Sequence, residues 1–381
     1  MKRIKSSNIF FDGGLFDGYL YYEDGRILSV TDKELPYDEE LDAGDSFVSA
    51  GFIDIHTHGG GGYPFEGTVD DIVGGVNFHL THGTTSICPT VSAAPIDDMR
   101  RSLDNIRCAM SDSRVLANII GAHLEGPYLS PAQTGAQAGD AITPPVKEDY
   151  VAIATEYKGT LARWTYAPEN DEGAEFCAYM RDAGIVTSAG HTNATYTDMK
   201  AALENGCRLV THLYSCTSTV TRKQGFRSLG VIESTFLEDG ITAEIIADGK
   251  HLPPELIRMI YKIKGADGII AVTDSLSLAG TDVKVGRMSS TDFIIEDGVC
   301  KLLDRTAFAG SIATADRLVR VLTKEVGISI FDAVKMVSEN PAKMMGLTSK
   351  GMLREGMDAD LVVFDSDINV KAVFVMGQRR I

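Results

Sequence analysis

The chain has 381 residues, 44% of them apolar, which is long enough for a large barrel and an additional small domain. Lys and Arg number 36 against 53 Asp and Glu, so the formal net charge is −17. So acidic a chain argues against nucleic acid and anionic membranes as partners.

The cysteines and the N-terminal segment both indicate the cytoplasm as the compartment of this protein. The 6 cysteines are scattered and form no C-x-x-C pair, which is typical of free thiols in a reducing environment. The N-terminal segment MKRIKSSNIFFDGG is basic and has no long apolar run, so no signal peptide is predicted. No apolar run is long enough for a transmembrane helix. We therefore expect a cytoplasmic protein.

Both ends of the chain have the composition of short β-strands. Near the N-terminus these are IKSSNIFF, GYLYYEDG and RILSVTD, and Asp24-Gly25 is a hairpin turn signal. Near the C-terminus, ADLVVFD and VKAVFVMG follow each other with no helix between them. We predict one small β-sandwich domain built from both termini, residues 1–49 plus 348–381.

The middle of the chain, residues 50–347, alternates apolar strands with helix-like segments. In one such segment, ATYTDMKAALENG, three apolar residues share a helical face and Gly206 is a good C-terminal stop. Eight strand–helix units predict an α/β fold, a (β/α)8 TIM barrel. A β-hairpin insertion turning at Asp297-Gly298 is expected after the eighth strand. The predicted strands are FIDIHTH, TTSICPT, ANIIGAHLEGP, LARWTYAPE, IVTSAGHTN, RLVTHLY, ITAEIIADGKH and GIIAVTDS.

Side chains suited to metal binding and proton transfer collect at the ends of these strands. In a barrel, the C-terminal ends of all strands open onto the face that carries the active site. A single histidine there is more often a hydrogen-bonded core or surface residue, but the convergence of several with two carboxylates predicts a metal site. The residues are His56, His58, Glu125, His191, His212, His251 and Asp274.

The donor atoms restrict the metal. Imidazole nitrogen and carboxylate oxygen without cysteine favour Zn²⁺, with Fe²⁺, Mn²⁺, Co²⁺ or Ni²⁺ as alternatives. Asp274 follows the apolar run of the eighth strand, where a carboxylate can accept a proton from water and pass it to a leaving group. The alternative for Asp274 is a helix N-cap.

Motifs along nearly the whole chain resemble those of the amidohydrolase superfamily, and within it the N-acetylglucosamine-6-phosphate deacetylase family. GFIDIHTHG and the tail SENPAKMMGL…KGMLREGMDADLVVFD are shared across the superfamily. The combination of HLEGP with GHT and THLY is more specific to the deacetylases. The remaining matching motifs are GAHLEGPYLSP, APE, SAGHTNATY, ADGKH, TDS and FAGS.

The resemblance implies a role for each matching residue. Glu125, His191 and His212 would hold the principal metal, and His56 and His58 match the pair that binds a second ion in some members, with Glu125 bridging. One or two ions per subunit are therefore expected. Asp274 would be the general acid and base, and His251 would help to polarise the acetyl carbonyl. Gln137 lies where the family places a His or Gln of the substrate loop.

The sequence departs from the family after the sixth strand. The family has H-L-Y-N-A-M, whereas this chain has Ser215, Cys216 and Thr217 after His-Leu-Tyr. The family's phosphate motif R-E-P-G is matched only by Arg227-Ser228-Leu229-Gly230. Ser215, Cys216, Arg222 and Arg227 are nevertheless the expected substrate-binding residues. The two arginines belong to a basic cluster, which is needed to bind phosphate in an acidic protein. The alternative for the cluster is a solvated loop.

The resemblance implies metal-dependent deacetylation of N-acetylglucosamine 6-phosphate, with a phosphorylated N-acetyl amino sugar as partner and a homodimer as assembly. Three alternatives remain open. One is a deacetylase of a related amino sugar such as N-acetylgalactosamine 6-phosphate. The second is another amidohydrolase that acts on a cyclic amide or an aminopurine. The third is a non-catalytic sugar-phosphate-binding protein on the same barrel.

Overall fold

The central part of the chain forms a parallel barrel. The structure is a computed structural model that describes residues 1–288 and 291–381. Eight strands, called barrel strands 1 to 8, pair in chain order and all in parallel. They are Phe52–Thr57, Thr84–Ser92, Ala122–Glu125, Leu161–Tyr166, Val186–Ala189, Leu209–Val210, Thr242–Ile246 and Ile269–Val272. A short strand, Asn118–Ile119, pairs with barrel strand 2 in addition.

The barrel closes where barrel strand 8 returns beside barrel strand 1. The backbone N–H of Asp274 donates to His56 O at 2.9 Å, and that of His58 donates to Ser275 O at 2.8 Å. Every residue of barrel strands 1 and 2 is buried, as expected for parallel strands that are covered on both faces. The predicted (β/α)8 barrel is confirmed.

Helices connect the barrel strands. The predicted helix in ATYTDMKAALENG is Tyr196–Glu204, and its N-terminus is closed by a capping box between Thr195 and Asp198. None of the helices within the described ranges combines the length and apolarity needed to span a bilayer. The other α-helices are Val69–Leu80, Ile96–Ala109, Lys147–Glu156, Glu175–Ala183, Val231–Leu237, Pro254–Lys264, Ala315–Arg320 (continued by the π-helix Val321–Val326), Ile330–Met336 and Glu339–Met344.

Both termini contribute to a second sheet, which confirms the predicted terminal β domain. Strand Phe47–Ala50 lies in its middle, parallel to the first strand of the chain and antiparallel to Leu361–Phe364. Phe52 of the barrel packs against Phe364 with ring centroids 6.0 Å apart, so one apolar core joins the sheet to the barrel. The predicted boundaries at 49/50 and 347/348 stay a prediction. The strands are Lys2–Phe11, Gly14–Glu23, Arg26–Thr31, Glu39–Asp42, Phe47–Ala50, Leu361–Phe364, Val370–Val375 and Gln378–Arg379.

Two insertions flank the open face of the barrel. Thr221–Lys223 and Phe226–Ser228 form an antiparallel pair after barrel strand 6, called the basic hairpin. Four antiparallel strands after barrel strand 8, called the insertion sheet, contain the predicted turn at Asp297-Gly298. Ser289 and Ser290, part of the predicted insertion, lie outside the described residues. The strands of the insertion sheet are Val285–Met288, Thr291–Glu296, Val299–Leu302 and Phe308–Gly310.

Candidate metal and catalytic site

The predicted metal ligands converge on Glu125, the last residue of barrel strand 3. Its Oε1 lies 3.2 Å from His191 Nε2 and 2.9 Å from His212 Nε2. On its other side, Oε1 is 3.4 Å from His56 Nε2 and Oε2 is 3.2 Å from His58 Nε2. Glu125 therefore belongs to two groups of potential ligands, one with His191 and His212 and one with His56 and His58.

Asp274 closes the site from barrel strand 8. Its Oδ1 lies 3.5 Å from His56 Nε2 and 3.4 Å from His58 Nε2. Its backbone N–H is used in barrel closure rather than at a helix terminus, and no helix begins at this residue. The geometry thus favours the proton-transfer interpretation of Asp274 over the helix N-cap.

The outer nitrogen of each ligand ring has its own partner. Nδ1 of His191 lies 2.9 Å from Gln133 O, and Nδ1 of His212 lies 3.1 Å from Ser215 O. Because a backbone carbonyl only accepts, both rings carry a proton on Nδ1, which leaves the Nε2 lone pairs facing inward. These two Nε2 atoms are only 3.1 Å apart. Two lone pairs this close, beside a carboxylate, fit a shared cation.

His56 and His58 also have a partner at Nδ1, and for His56 it is an acceptor. Nδ1 of His56 lies 2.8 Å from Glu244 Oε1, and Nδ1 of His58 lies 3.2 Å from Ser92 Oγ. His56 Nε2 is fully buried and has no hydrogen-bond partner. A buried polar nitrogen without a partner is costly, and a metal ion would satisfy it. The residues present therefore fit a divalent ion on each side of Glu125.

Several site residues have backbone angles that only glycine adopts at low cost. The values of φ are 46° at His191, 30° at His212, 49° at Cys216 and 46° at Asp274. Such conformations cost about 1–3 kcal/mol each and occur where the surrounding structure enforces them, often at functional sites. At His191, His212 and Asp274 they occur two residues after the end of a barrel strand.

A cavity of about 260 Å³ opens above the ligands. Gln137 lies in its wall and donates from Nε2 to Glu125 Oε2 at 2.6 Å. His251 lies there too, with Nδ1 2.9 Å from Asp248 Oδ2, so its Nε2 is available to a bound molecule. His56 lies deeper, beneath the cavity floor. The predicted site residues that line the cavity are His58, Glu125, Gln137, His191, His212, Ser215, Cys216, His251 and Asp274.

The structure does not bring the two predicted arginines into this cavity. Arg222 and Arg227 lie opposite each other on the basic hairpin, and both side chains are exposed. Neither is among the residues of the same chain that line the cavity. Their predicted role in substrate binding stays a prediction.

A family model describing the amidohydrolase family matches residues 47–380 of this sequence. The chain belongs to the amidohydrolase family. It is a hydrolase whose family acts on amide bonds. The match includes every residue of the site, from His56 to Asp274.

Three proteins that match nearly the full length of this amidohydrolase bear the name of the same activity. The N-acetylglucosamine-6-phosphate deacetylase of Bacillus subtilis (strain 168) is 32% identical over 369 residues, 95% of this chain and 92% of the relative. A solved variant of N-acetyl-D-glucosamine-6-phosphate deacetylase from Mycobacterium smegmatis, in complex with N-acetyl-D-glucosamine-6-phosphate, superposes with a TM-score of 0.91. It is 29% identical, and the superposition covers 99% of this chain and 98% of that one. The deacetylase of Pasteurella multocida gives a TM-score of 0.93 at 27% identity and covers 100% and 99% of the two chains.

The neighbouring histidines lower the pKa of two site carboxylates, Glu125 and Asp274. Burial alone would raise the pKa of Glu125, but the rings of His56, His191 and His212 outweigh it and hold that pKa well below its ordinary value. Burial also opposes ionisation of Asp274, and the neighbouring His56 and His58 again lower the pKa. Both side chains can thus serve as anionic ligand or proton acceptor.

A layer of polar side chains that was not predicted from the sequence lies inside the barrel, directly below the ligands. Barrel interiors are usually filled with branched apolar residues, but here each strand, or the residue directly after it, contributes a polar one. The central member is Arg163, which is fully buried. A charged or polar residue inside an otherwise apolar strand, such as the Arg of LARWTY or the Glu of TAEII, was the available signal. The layer consists of Asp54, Thr90, His123, Arg163, Thr165, Ser188, Thr211, Glu244 and Thr273.

Another missed residue is Phe308 of the insertion sheet. It lines the cavity, and its ring packs edge-on against His251 with centroids 5.0 Å apart. Phe308 begins the FAGS motif, but the sequence assigned it no role, because its contact with His251 depends on where the insertion sheet folds.

Proposed function

We propose that this amidohydrolase removes the acetyl group of N-acetylglucosamine 6-phosphate, giving glucosamine 6-phosphate and acetate in amino-sugar catabolism. The observation that carries the proposal is the pair of ligand groups that share Glu125, with Asp274 beside them on the floor of a sugar-sized cavity. The relatives and solved structures that match over nearly the whole chain bear the name of this activity. The reaction breaks a linear amide C–N bond.

The residues would divide the chemistry as follows. A divalent ion held by Glu125, His191 and His212 supplies a Lewis acid that polarises a carbonyl group and makes water more acidic. Asp274 accepts the proton of the attacking water at Oδ1 and donates it to the amine nitrogen of the departing sugar. Asp248 holds the His251 ring so that Nε2, when protonated, donates a hydrogen bond to the acetyl oxygen.

We propose Zn²⁺ as the native ion, because the donors are imidazole nitrogen and carboxylate oxygen without sulfur. Fe²⁺, Mn²⁺, Co²⁺ and Ni²⁺ accept the same donors.

Removing the metal tests the proposal directly. Dialysis against a chelator should abolish acetate release from N-acetylglucosamine 6-phosphate, and added Zn²⁺ should restore it. Elemental analysis before and after dialysis, with acetate measured in parallel, checks both parts. Full activity in a protein shown to be free of metal would contradict the proposal.

The basic hairpin is our candidate for the phosphate site. Arg222 and Arg227 are direct cross-strand partners, and like charges in that position destabilise a hairpin. Within the described residues neither has a carboxylate at ion-pair distance; Arg227 donates only to Gly225 O. A phosphate between them would relieve the repulsion and accept bidentate hydrogen bonds.

The exposure of the hairpin leads to a proposed assembly. Phe226 at its tip is 80% exposed, the largest exposure among the large apolar side chains that the structure describes. Since the arginines do not line the cavity of their own chain, we propose a homodimer in which each hairpin covers the cavity of the partner.

Replacing Arg227 by Ala should raise KM for the phosphorylated sugar by about 10- to 150-fold, the worth of one charged hydrogen bond. KM for unphosphorylated N-acetylglucosamine should change little. Arg287→Ala is a matched control, because Arg287 is exposed on the insertion sheet and pairs with Asp292. Steady-state kinetics on both sugars provide the measurement. Equal effects on the two substrates would show that the hairpin has a structural role only.

N-acetylgalactosamine 6-phosphate is the second candidate substrate. Ser215 and Cys216 line the cavity at the positions where the resemblance implies Asn and Ala. A panel of both phosphorylated sugars, a cyclic amide and an aminopurine would separate the candidates by kcat/KM.

We propose a cytoplasmic location, which the free state of all the cysteines supports.

A further inference from the structure

One buried carboxylate touches both ligand groups without belonging to either. Glu244, on barrel strand 7, is fully buried. Its Oε1 lies 2.8 Å from His56 Nδ1 and accepts a hydrogen bond from the His212 backbone N–H at 3.2 Å. Its side chain therefore contacts one residue from each side of Glu125.

The other oxygen of Glu244 is held by a buried arginine. Arg163 Nη1 donates to Glu244 Oε2 at 2.5 Å and to Ile55 O at 3.1 Å. Its remaining donors reach Thr211 Oγ1 at 3.0 Å and Ser188 Oγ at 3.1 Å. With every group of the guanidinium bonded, Arg163 fixes the position of Glu244 and neutralises its charge.

We propose that Glu244, held by Arg163, is a positioning residue for the metal site. As a carboxylate it only accepts, so it keeps the proton of His56 on Nδ1 and leaves the Nε2 lone pair free for an ion. By binding the His212 backbone as well, it ties the two ligand groups to one rigid support. The inference rests on the metal dependence proposed above.

A purely structural role would use Glu244 only as the counter-charge of Arg163. That role needs Oε2 alone, whereas Oε1 is used by His56 and His212. The two roles predict different effects of a neutral substitution on metal binding. A positioning role weakens mainly the binding of the ion at the His56 and His58 side, whereas a structural role would affect both ions.

The test is Glu244→Gln, compared with the wild type by zinc titration and elemental analysis. Gln keeps the size but has one acceptor oxygen, so its amide donors must face His56 or Arg163. The wild type should bind two ions. In the variant, affinity at the His56 and His58 side should fall about 10- to 100-fold, as for other residues that orient a metal-binding histidine. The Glu125, His191 and His212 side should change less, because Ser215 O still orients the His212 ring.

Ser188→Ala is the matched control, since it removes a partner of Arg163 without touching a ligand. An equal loss of zinc in that variant, or unchanged zinc binding in Glu244→Gln, would overturn the proposal. If Glu244→Gln does not fold, a double variant that adds Arg163→Met removes the buried positive charge that Glu244→Gln leaves unpaired. Wild-type zinc affinity at both sides in the double variant would again overturn it.

A measurement on the wild type needs no variant. Long-range ¹H–¹⁵N NMR of the zinc-loaded protein should show His56 protonated on Nδ1, and an unprotonated Nδ1 would overturn the proposal.

Acetate release separates this inference from the proposed function. A wild type that releases acetate with a single bound ion keeps the proposed function and overturns this inference. If Glu244→Gln shows the expected zinc loss but the wild type releases no acetate, the inference is supported and the proposed function is overturned.

Discussion

Asp274→Asn is expected to lower kcat by about 10²- to 10⁴-fold, the usual cost of losing a general acid and base. Asn has nearly the same size and can still accept a hydrogen bond, but it cannot take a proton from water or deliver one to the amine. The Oδ1 atom of Asp274 lies within 3.5 Å of both His56 and His58 on the cavity floor. Among the described residues that line the cavity, Glu125 is the one other carboxylate that could take up the proton. Glu125 is surrounded by four imidazoles and is the ligand proposed to be shared by both groups.

The measurement has two parts. Acetate release from N-acetylglucosamine 6-phosphate gives kcat, and elemental analysis gives the metal content. The ion that we propose Glu125, His191 and His212 to hold should remain, because Asp274 is not part of that group. Asp282→Asn is a matched control, since Asp282 is exposed on the segment that follows barrel strand 8. Near-normal turnover in Asp274→Asn would show that another residue moves the proton.

Glu125→Ala is expected to remove the metal from both sides of the site and to lower activity by at least about 10³-fold. Glu125 is the one residue common to both ligand groups. Without its carboxylate, His191 and His212 have no carboxylate between their Nε2 atoms, and His56 and His58 keep only Asp274 beside them. Each group then loses one of its three ligands.

His191→Ala separates the two groups. It removes one ligand of the Glu125, His191 and His212 group and none of the His56 and His58 group. We therefore expect one ion to be lost and one retained, with activity as low as in Glu125→Ala if the lost ion is the catalytic one. His82→Ala is the control histidine, because His82 lies outside the site and pairs with Asp316. Elemental analysis and thermal unfolding of the three variants check metal content and fold. Full metal content and activity in His191→Ala would contradict the ligand assignment.

The barrel and most of the site could be predicted because their signals are local. Apolar runs such as FIDIHTH and GIIAVTDS form buried strands wherever they pack, since both faces of a parallel strand must be covered. Each run has a chemically distinctive residue at or next to its end, His58 in one case and Asp274 in the other. Because all strands of a barrel point the same way, residues at their C-terminal ends meet without any knowledge of the exact geometry.

The support of the site could not be predicted in the same way. Arg163 and Glu244 are separated by 81 residues, and their ion pair exists only because barrel strands 4 and 7 face each other across the interior. In the sequence each is a single charged residue in an apolar strand. Phe308 reaches His251 only because the insertion sheet folds back over the cavity.

Which residues have the right chemistry, and at which strand ends they occur, can be read from short segments, since alternation and residue type are local properties. Which of these residues meet depends on the folded barrel. It brought Gln137 onto Glu125 and placed the two arginines on an exposed hairpin away from the cavity of their own chain. The physical reason is that distances between strands are set by barrel closure and register, which depend on the packing of the whole core rather than on any one segment.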